Sequence, residues 1–532
     1  MIEHLEHRRL LATDLFNFTF GDRFHNDASK VAVDPAGNTI VAGVFSGTTD
    51  FQPGTSATTL TARGDTDGFV AKYSVRGKLI WAVRFGGDYT NRFISGSLER
   101  AYTVNPRLTN AYAFPFSNTP ITLGEVVRAL EVGPDGSVYV GGAFRQEADF
   151  GADVRSGGPD VDYYNGFVTR ISPDGEFLWT AVIDGPFDDV VNDIAVDAAG
   201  NVFAGGYFTR FADFNPNPTR QFIVNAEGRG DAFLALYSAR GRLGYVNTFG
   251  GDTVASEVKE SVNGVAVDSQ GRPYITGTYV EGADFDPGPG FAFLPEIGAT
   301  DTFLAAYERD GSLRYAKGFG GEFLDGGLKI ETGPDDSLYV ASYFSGIADA
   351  DPGPATLNFV SQVNRNERDA NTDILLSRFT PGGDLIWARQ ITGTDYETVD
   401  AMVVDEQGSV MVTGGWFGII DLDPGPGRIE RSSTFSPFTL DDLALDDGER
   451  PESYDAYFLY LSQNGKYIYS TTFGGAGDDF GSGLAIRPDG RIFLTGRLTQ
   501  PSIGFPTLGP TNLIGVRSEL AFVLRLERDG IL

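Results

Sequence analysis

Three segments carry paired carboxylates at a fixed spacing: ADFDPGPG at 283–290, ADADPGPA at 348–355 and IDLDPGPG at 420–427. In an extended chain, residues i and i+2 share a face. Asp284 and Asp286, Asp349 and Asp351, and Asp421 and Asp423 therefore point the same way, with Phe285, Ala350 or Leu422 turned inward. Like charges side by side repel unless something neutralises them. Three chemistries meet that demand. Calcium wants roughly six to eight oxygens from carboxylates and carbonyls, and Asp301, Asp373 and Asp455 lie downstream to help. Asx-type turns would instead let the carboxylates accept backbone N–H groups with no metal. A negative rim could also receive a cationic ligand. The related segments TDFQPG (49–54), ADFGAD (148–153) and ADFNPNP (212–218) keep the first Asp but replace the second, as a turn brace would tolerate; IGFPTLG (503–509) keeps neither.

Glu131 and Glu331 are a second candidate, standing where similar segments have Ala32, Ala195, Ala266 and Ala485. Two carboxylates near a common axis could serve as acid and base in a carbohydrate-active enzyme. The plainer alternative is solvation in a central channel or pairing with Arg or Lys. Composition excludes other chemistry. There is no cysteine, hence no disulfide, thiolate metal site or Cys nucleophile. The three histidines, His4, His7 and His25, all lie near the N-terminus, so the main body has no triad and no His-based zinc site. A formal charge of -31 disfavours nucleic acid and anionic membranes and favours cations. No apolar run is long enough to span a bilayer. GGAGDDFGSG (474–483) is no phosphate cradle, because no Lys follows and its aspartates would repel phosphate.

The elements that position these residues are repeats. VAVDPAGNTIVAG (31–43) recurs as LEVGPDGSVYVGG (130–142), IAVDAAGNVFAGG (194–206), VAVDSQGRPYITG (265–277), IETGPDDSLYVAS (330–342), VVDEQGSVMVTGG (403–415) and LAIRPDGRIFLTG (484–496). Each is a β-hairpin signature. A second hairpin follows each, as in DGFVAKYSVRGKLIW (67–81) and DTFLAAYERDGSLRY (301–315), and its outer strand often ends in Phe-Gly-Gly. Two hairpins make a four-stranded antiparallel sheet, and its repetition predicts an all-β, seven-bladed β-propeller. Six units are complete and a seventh stops after three strands. NFTFGD (17–22) resembles VNTFGG (246–251), so an N-terminal strand is expected to complete the last blade and close the ring.

With strands lettered A to D from the axis outward, A–B and C–D turns share one face; B–C and D–A connections share the other. The first set is tight, as in DPAG and ERDG. The second is long, with an aromatic-rich insertion at about 88–125 (Tyr89, Phe93, Tyr102, Tyr112, Phe114, Phe116) and an acidic one at about 428–454. Long loops on a rigid scaffold are where recognition usually sits.

DAYFLYLSQNGKYIYSTTFGGAGDDFGSGLAIRPDGRIFLTG (455–496) resembles the bacterial β-propeller repeat family called SBBP and, more loosely, NHL-type repeats, and the pattern recurs over 31–532. The resemblance implies an extracellular or cell-surface protein of bacterial type and no defined reaction. LEHRRLLA (5–12) is similar to a motif near the start of exported bacterial proteins, although no apolar signal segment accompanies it. The expected organisation is a leader at 1–14 and one propeller at 15–532. The expected role is non-catalytic binding or scaffolding of a protein or polysaccharide by a monomer, with calcium as a candidate stabiliser. The alternatives are a carboxylate-based glycoside hydrolase or lyase, and a purely structural envelope protein.

Overall fold

Strands B and C of the repeats are apolar at nearly every position, which a sheet with only one covered face does not require. The structure, a computed structural model, gives the reason. It describes residues 18–20, 26–52, 58–89, 124–156, 163–217, 219–251, 260–362, 372–433, 453–475, 477–499 and 519–526. Most of the two long insertions, the 1–14 leader and segment 503–509 lie outside these residues.

The described residues form seven blades of four antiparallel strands. The A strands are Asp27–Val33, Glu125–Val132, Val190–Val196, Ser261–Val267, Asp325–Thr332, Ala401–Val404 and Phe480–Ile486. Each neighbours the A strand of the next blade, and the last neighbours the first, so the ring is closed. In the seventh blade the order from the rim inward is Phe18–Phe20, Glu519–Leu526, Ile492–Thr499 and Phe480–Ile486. Phe18 pairs with Val523 and Phe20 with Ala521. The N-terminal strand thus fills the position expected for it and removes the exposed edges of an open sheet.

Cores lie between blades, and the two-residue period of each strand divides its side chains between two cores. In strand C of blade 3, Phe233, Ala235 and Tyr237 pack against blade 2 residues Tyr139, Val168 and Ile183. Ala232 and Leu234 pack the other way, against Ile275, Phe285 and Phe303 of blade 4. Both faces of every middle strand are therefore buried.

Inner strands carry a bulge at a common level, between Val127 and Ala129, Val191 and Asp193, Val262 and Gly264, Gly327 and Lys329, and Gly481 and Gly483. The preceding carbonyl is pushed toward strand B, where glycine stands in most blades and Ser342 in blade 5. A Cβ on Gly142 would lie 2.0 Å from the Val126 carbonyl oxygen, and one on Gly206 would lie 1.9 Å from that of Val190.

On the tight-turn face, each A–B turn is braced by an aspartate. Asp34 Oδ1 accepts the Ala36 and Asn38 N–H groups at 2.9 and 2.8 Å, and Asp197 Oδ1 accepts those of Ala199 and Asn201 at 2.8 Å each. Adjacent blades are tied through the aromatic residue of strand D. Trp81 Nε1 donates to the Pro173 carbonyl at 2.9 Å, Trp179 Nε1 to Ala239 at 3.2 Å and Trp387 Nε1 to Gln463 at 2.9 Å.

Candidate functional site

The Asp-x-Asp-Pro-Gly segments do more than end strand B. Each turns back as a short hairpin whose first strand lies beside strand D of the preceding blade. Gly250 bridges to Asp284, Gly320 pairs with Asp349 and Thr392 with Asp421. In two places this extends the preceding sheet to six strands. The middle residue enters the seam: Phe285, Ala350 and Leu422 are buried.

The first Asp braces the hairpin. Asp284 Oδ1 accepts the Asp286 and Ala292 N–H groups at 3.0 and 2.8 Å. Asp349 serves Asp351 and Leu357 at 3.1 and 2.8 Å, and Asp421 serves Asp423 and Ile429 at 3.1 and 2.8 Å. Asp50 and Asp213 do the same where the second Asp is missing. The second Asp caps the Pro-Gly turn: Asp286, Asp351 and Asp423 accept Gly288, Gly353 and Gly425 N–H at 2.8 Å each. Asn215 takes that part in blade 3, accepting Asn217 N–H at 3.0 Å. This is the Asx geometry that tolerates the observed exchanges. Among the described residues, no group of three or more His, Asp or Glu is assembled to hold a metal.

The three aspartates heading strand C occupy a different place. Asp301 and Asp373 are wholly buried and Asp455 nearly so, in the seam toward the next blade. Facing them, at the entry to strand A of that blade, stand Asp325, Glu397 and Asp479, with Glu125 and Glu260 in equivalent seams. Burial raises these carboxyl pKa values, to about 6 for Asp301 and about 7 for Asp373. Sequence reasoning missed the strand A partners. Their signal was an acidic residue entering most inner strands, as in GEVV, KESV, LDGG and YETV.

The axis holds a second charged group. Inner strands bring Lys30, Asp193, Lys329 and Asp400 together at one level; Glu131 and Glu331 come two residues further along their strands. The Lys30 ammonium donates to the Asp400 and Ser482 carbonyls at 3.3 and 3.2 Å. Burial, then Lys329, pulls its pKa down to about 7. Burial, then Asp193, pushes Glu131 up to about 8; burial, then Glu131 itself, raises Glu331. The two glutamates thus share one electrostatic site. Both are half-buried. Carboxyls raised in this way hold protons they can donate.

On the long-loop face, a cleft of about 230 Å³ between blades 1 and 2 is lined by Arg63, Gly86, Gly87, Asp88, Gln146, Glu147 and Asp149. It adjoins the chain entry to the 88–125 insertion. Among the described residues no helix is long and apolar enough to cross a membrane.

No protein-family model matches the chain. It is 23% identical over 416 residues to the uncharacterized WD repeat-containing protein L264 of Acanthamoeba polyphaga mimivirus, which covers 68% of this chain. The chain spans only 29% of that relative's length. Among solved structures, a protein of unknown function from Bacteroides caccae aligns with a TM-score of 0.29 at 8% identity, over 66% of this chain and 84% of that one. The likeness to a WD-repeat protein and the seven closed blades agree that this chain is a repeat β-propeller.

Proposed function

We propose that the chain is a non-catalytic binding or scaffold propeller, working outside the cell or at a bacterial cell surface, that recognises a protein or polysaccharide through one face. The observation that carries this reading is the asymmetry of the two faces. Tight turns close one, several of them bonded to the neighbouring blade; every long connection leaves from the other. Rigid seams under long loops are a scaffold for recognition. The SBBP-like repeats and the LEHRRLLA segment support the surface placement. The test is a glycan and protein array probed with the full chain, with and without calcium. Binding that is lost when residues 91–122 are replaced by a short Gly-Ser linker supports the reading. No binding by the folded chain would favour a purely structural envelope role.

A carbohydrate-active enzyme is the second reading, favoured by the electrostatic coupling of Glu131 and Glu331 at the axis. Turnover of any arrayed glycan, abolished in Glu131→Gln and Glu331→Gln, would promote it over the first.

A further inference from the structure

Three successive seams bury a carboxylate from each side: Asp231 with Glu260, Asp301 with Asp325, and Asp373 with Glu397. All six residues are at most 2% exposed. In the middle seam, Asp301 Oδ2 accepts the Ile297 and Gly298 N–H groups at 2.8 and 3.2 Å, and Asp325 Oδ2 accepts Gly321 N–H at 2.8 Å. Asp301 Oδ1 and Asp325 Oδ1 are buried and accept nothing. Thr300 holds the two residues together: it accepts the Asp325 N–H at 3.0 Å on its carbonyl and donates its hydroxyl to the Asp325 carbonyl at 2.8 Å. The other two seams repeat the pattern. Asp231 Oδ1, Glu260 Oε1, Asp373 Oδ1 and both oxygens of Glu397 are buried without a hydrogen-bond partner. Among the described residues, none of the six joins the ion pairs that other carboxylates form with Arg or Lys.

The seam between blades 1 and 2 is the internal comparison. Gly86 stands between Asp67 and Glu125: a Cβ there would be 2.9 Å from Asp67 Cγ and 2.9 Å from Glu125 Oε1. Here the chain supplies its own cation to Asp67, while Glu125 accepts Gly87 N–H at 3.0 Å on Oε1 and leaves Oε2 buried without a partner. Arg84 donates to Asp67 Oδ2 at 2.7 Å and to Asp149 Oδ2 at 3.0 Å. The residue in the Arg84 position of strand D is Thr248, Gly318 or Gln390 in the three seams above, each uncharged.

Paired, dehydrated carboxylates are costly unless a positive charge or a proton joins them. The donors are all oxygen, and carbonyls stand close by. That of Gly321 lies 2.1 Å from where a Cβ on Gly298, three residues before Asp301, would be. Such a donor set suits a hard cation and offers nothing to a soft one. We propose that the seams between blades 3 and 4, 4 and 5, and 5 and 6 each hold one hard divalent cation of the calcium class. The bound ion would do there what the Arg84 guanidinium does between blades 1 and 2. This does not depend on which partner the loops recognise, and the sites are distinct from the Asp-x-Asp hairpins.

The test is calcium stoichiometry on the full chain, stripped with chelator and titrated with calcium chloride at pH 7.5. At least three ions per chain are expected, together with a higher melting temperature. Relative to the unaltered chain, Asp325→Asn should bind one ion fewer, Asp286→Asn the same number, and Arg84→Gln, which frees Asp67 beside Glu125, one more. Terbium, a luminescent calcium mimic, gives a readout in the unaltered chain. Tyr279 lies within electrostatic range of both Asp301 and Asp325, so tyrosine excitation should sensitise terbium emission that excess calcium quenches. Uptake of neither ion overturns the proposal and leaves each pair sharing a proton. So does a stoichiometry unchanged in both Asp325→Asn and Arg84→Gln. Loss of an ion in Asp286→Asn alone overturns it too, moving the site to the hairpins. Should Asp325→Asn fail to fold, the Arg84→Gln gain and the terbium signal still decide.

Discussion

The ring of Phe285 lies almost flat on that of Phe249, with centroids 5.4 Å apart and planes 14° from parallel. Phe249 ends strand D of blade 3; Phe285 is the middle residue of the Asp-x-Asp hairpin that follows strand B in blade 4. Phe150 meets Phe85 in the same way, at 5.5 Å and 14°, between blades 2 and 1. Two motifs far apart in the repeat, Phe-Gly-Gly and Asp-x-Asp-Pro-Gly, are thus the two halves of one seam. Phe285→Ala should leave a cavity there and destabilise the chain by about 3–5 kcal/mol, read as a lower midpoint in chemical denaturation. Phe285→Leu should cost much less, since Leu422 fills the equivalent place in blade 6.

Asp284 and Asp286 look alike in sequence and differ in work. Asp284 accepts two N–H groups that close the hairpin; Asp286 accepts one at its exposed tip. Asp284→Ala should cost about 1–3 kcal/mol and Asp286→Ala about 0.5–1 kcal/mol. In both, the asparagine variant should recover most of the loss in calcium-free buffer. Equal costs for the two alanine variants would contradict the division of labour.

Gly241 turns with φ +71° directly against the Trp179 ring, and a Cβ there would lie 2.7 Å from the indole. Gly241→Ala combines a left-handed backbone with a clash across the seam between blades 3 and 2. A loss of about 1–3 kcal/mol is expected, and Trp179 fluorescence should shift as the ring is displaced. Trp179→Phe keeps the packing and loses the indole bond to Ala239, for about 0.5–1.5 kcal/mol.

The axial glutamates give a pH signature. Burial and Asp193 hold the Glu131 carboxyl at about 8, so the folded chain keeps a proton that the unfolded chain releases above about 4.5. The folded state binds more protons across that window, and stability falls as pH rises from about 4.5 to about 8. Glu131→Gln removes the titration. It should match the unaltered chain at pH 4 and exceed it at pH 9, by on the order of 1–2 kcal/mol given access to the lumen. A variant less stable at pH 9 would show that the ionised glutamate is held by a partner.

Closure rests on three residues of backbone pairing, Phe18–Phe20 against Ala521–Val523. A chain lacking residues 1–22 should expose the edge of Glu519–Leu526. Exposed strand edges pair with other chains, so concentration-dependent association in size-exclusion chromatography is expected, with a lowered melting temperature.

Much of this was legible in the sequence because a hairpin is a local object. Turn residues, strand alternation and the Phe-Gly-Gly ends repeat often enough to count blades, and the likeness of NFTFGD to VNTFGG named the closing strand. The Asp-x-Asp pairs were visible too, with their shared face and buried middle residue. Their second function was not: the hairpin pairs with a strand of the preceding blade, about 35 residues earlier in the chain for Gly250 and Asp284. Glu131 and Glu331 could be placed near the axis, but their coupling across 200 residues could not be measured from spacing.

The sequence by itself determined the number of blades, their strand order, the closing strand and the face that bears the long connections. Short-range turn chemistry and a two-residue period suffice for these. Only the tertiary structure decided which charges meet, because each seam joins residues from two repeats. Asp301 faces Asp325, Asp373 faces Glu397, and among the described residues Arg84 answers Asp67. Those pairings follow from how twisted sheets pack around an axis, and a linear pattern carries no term for that distance.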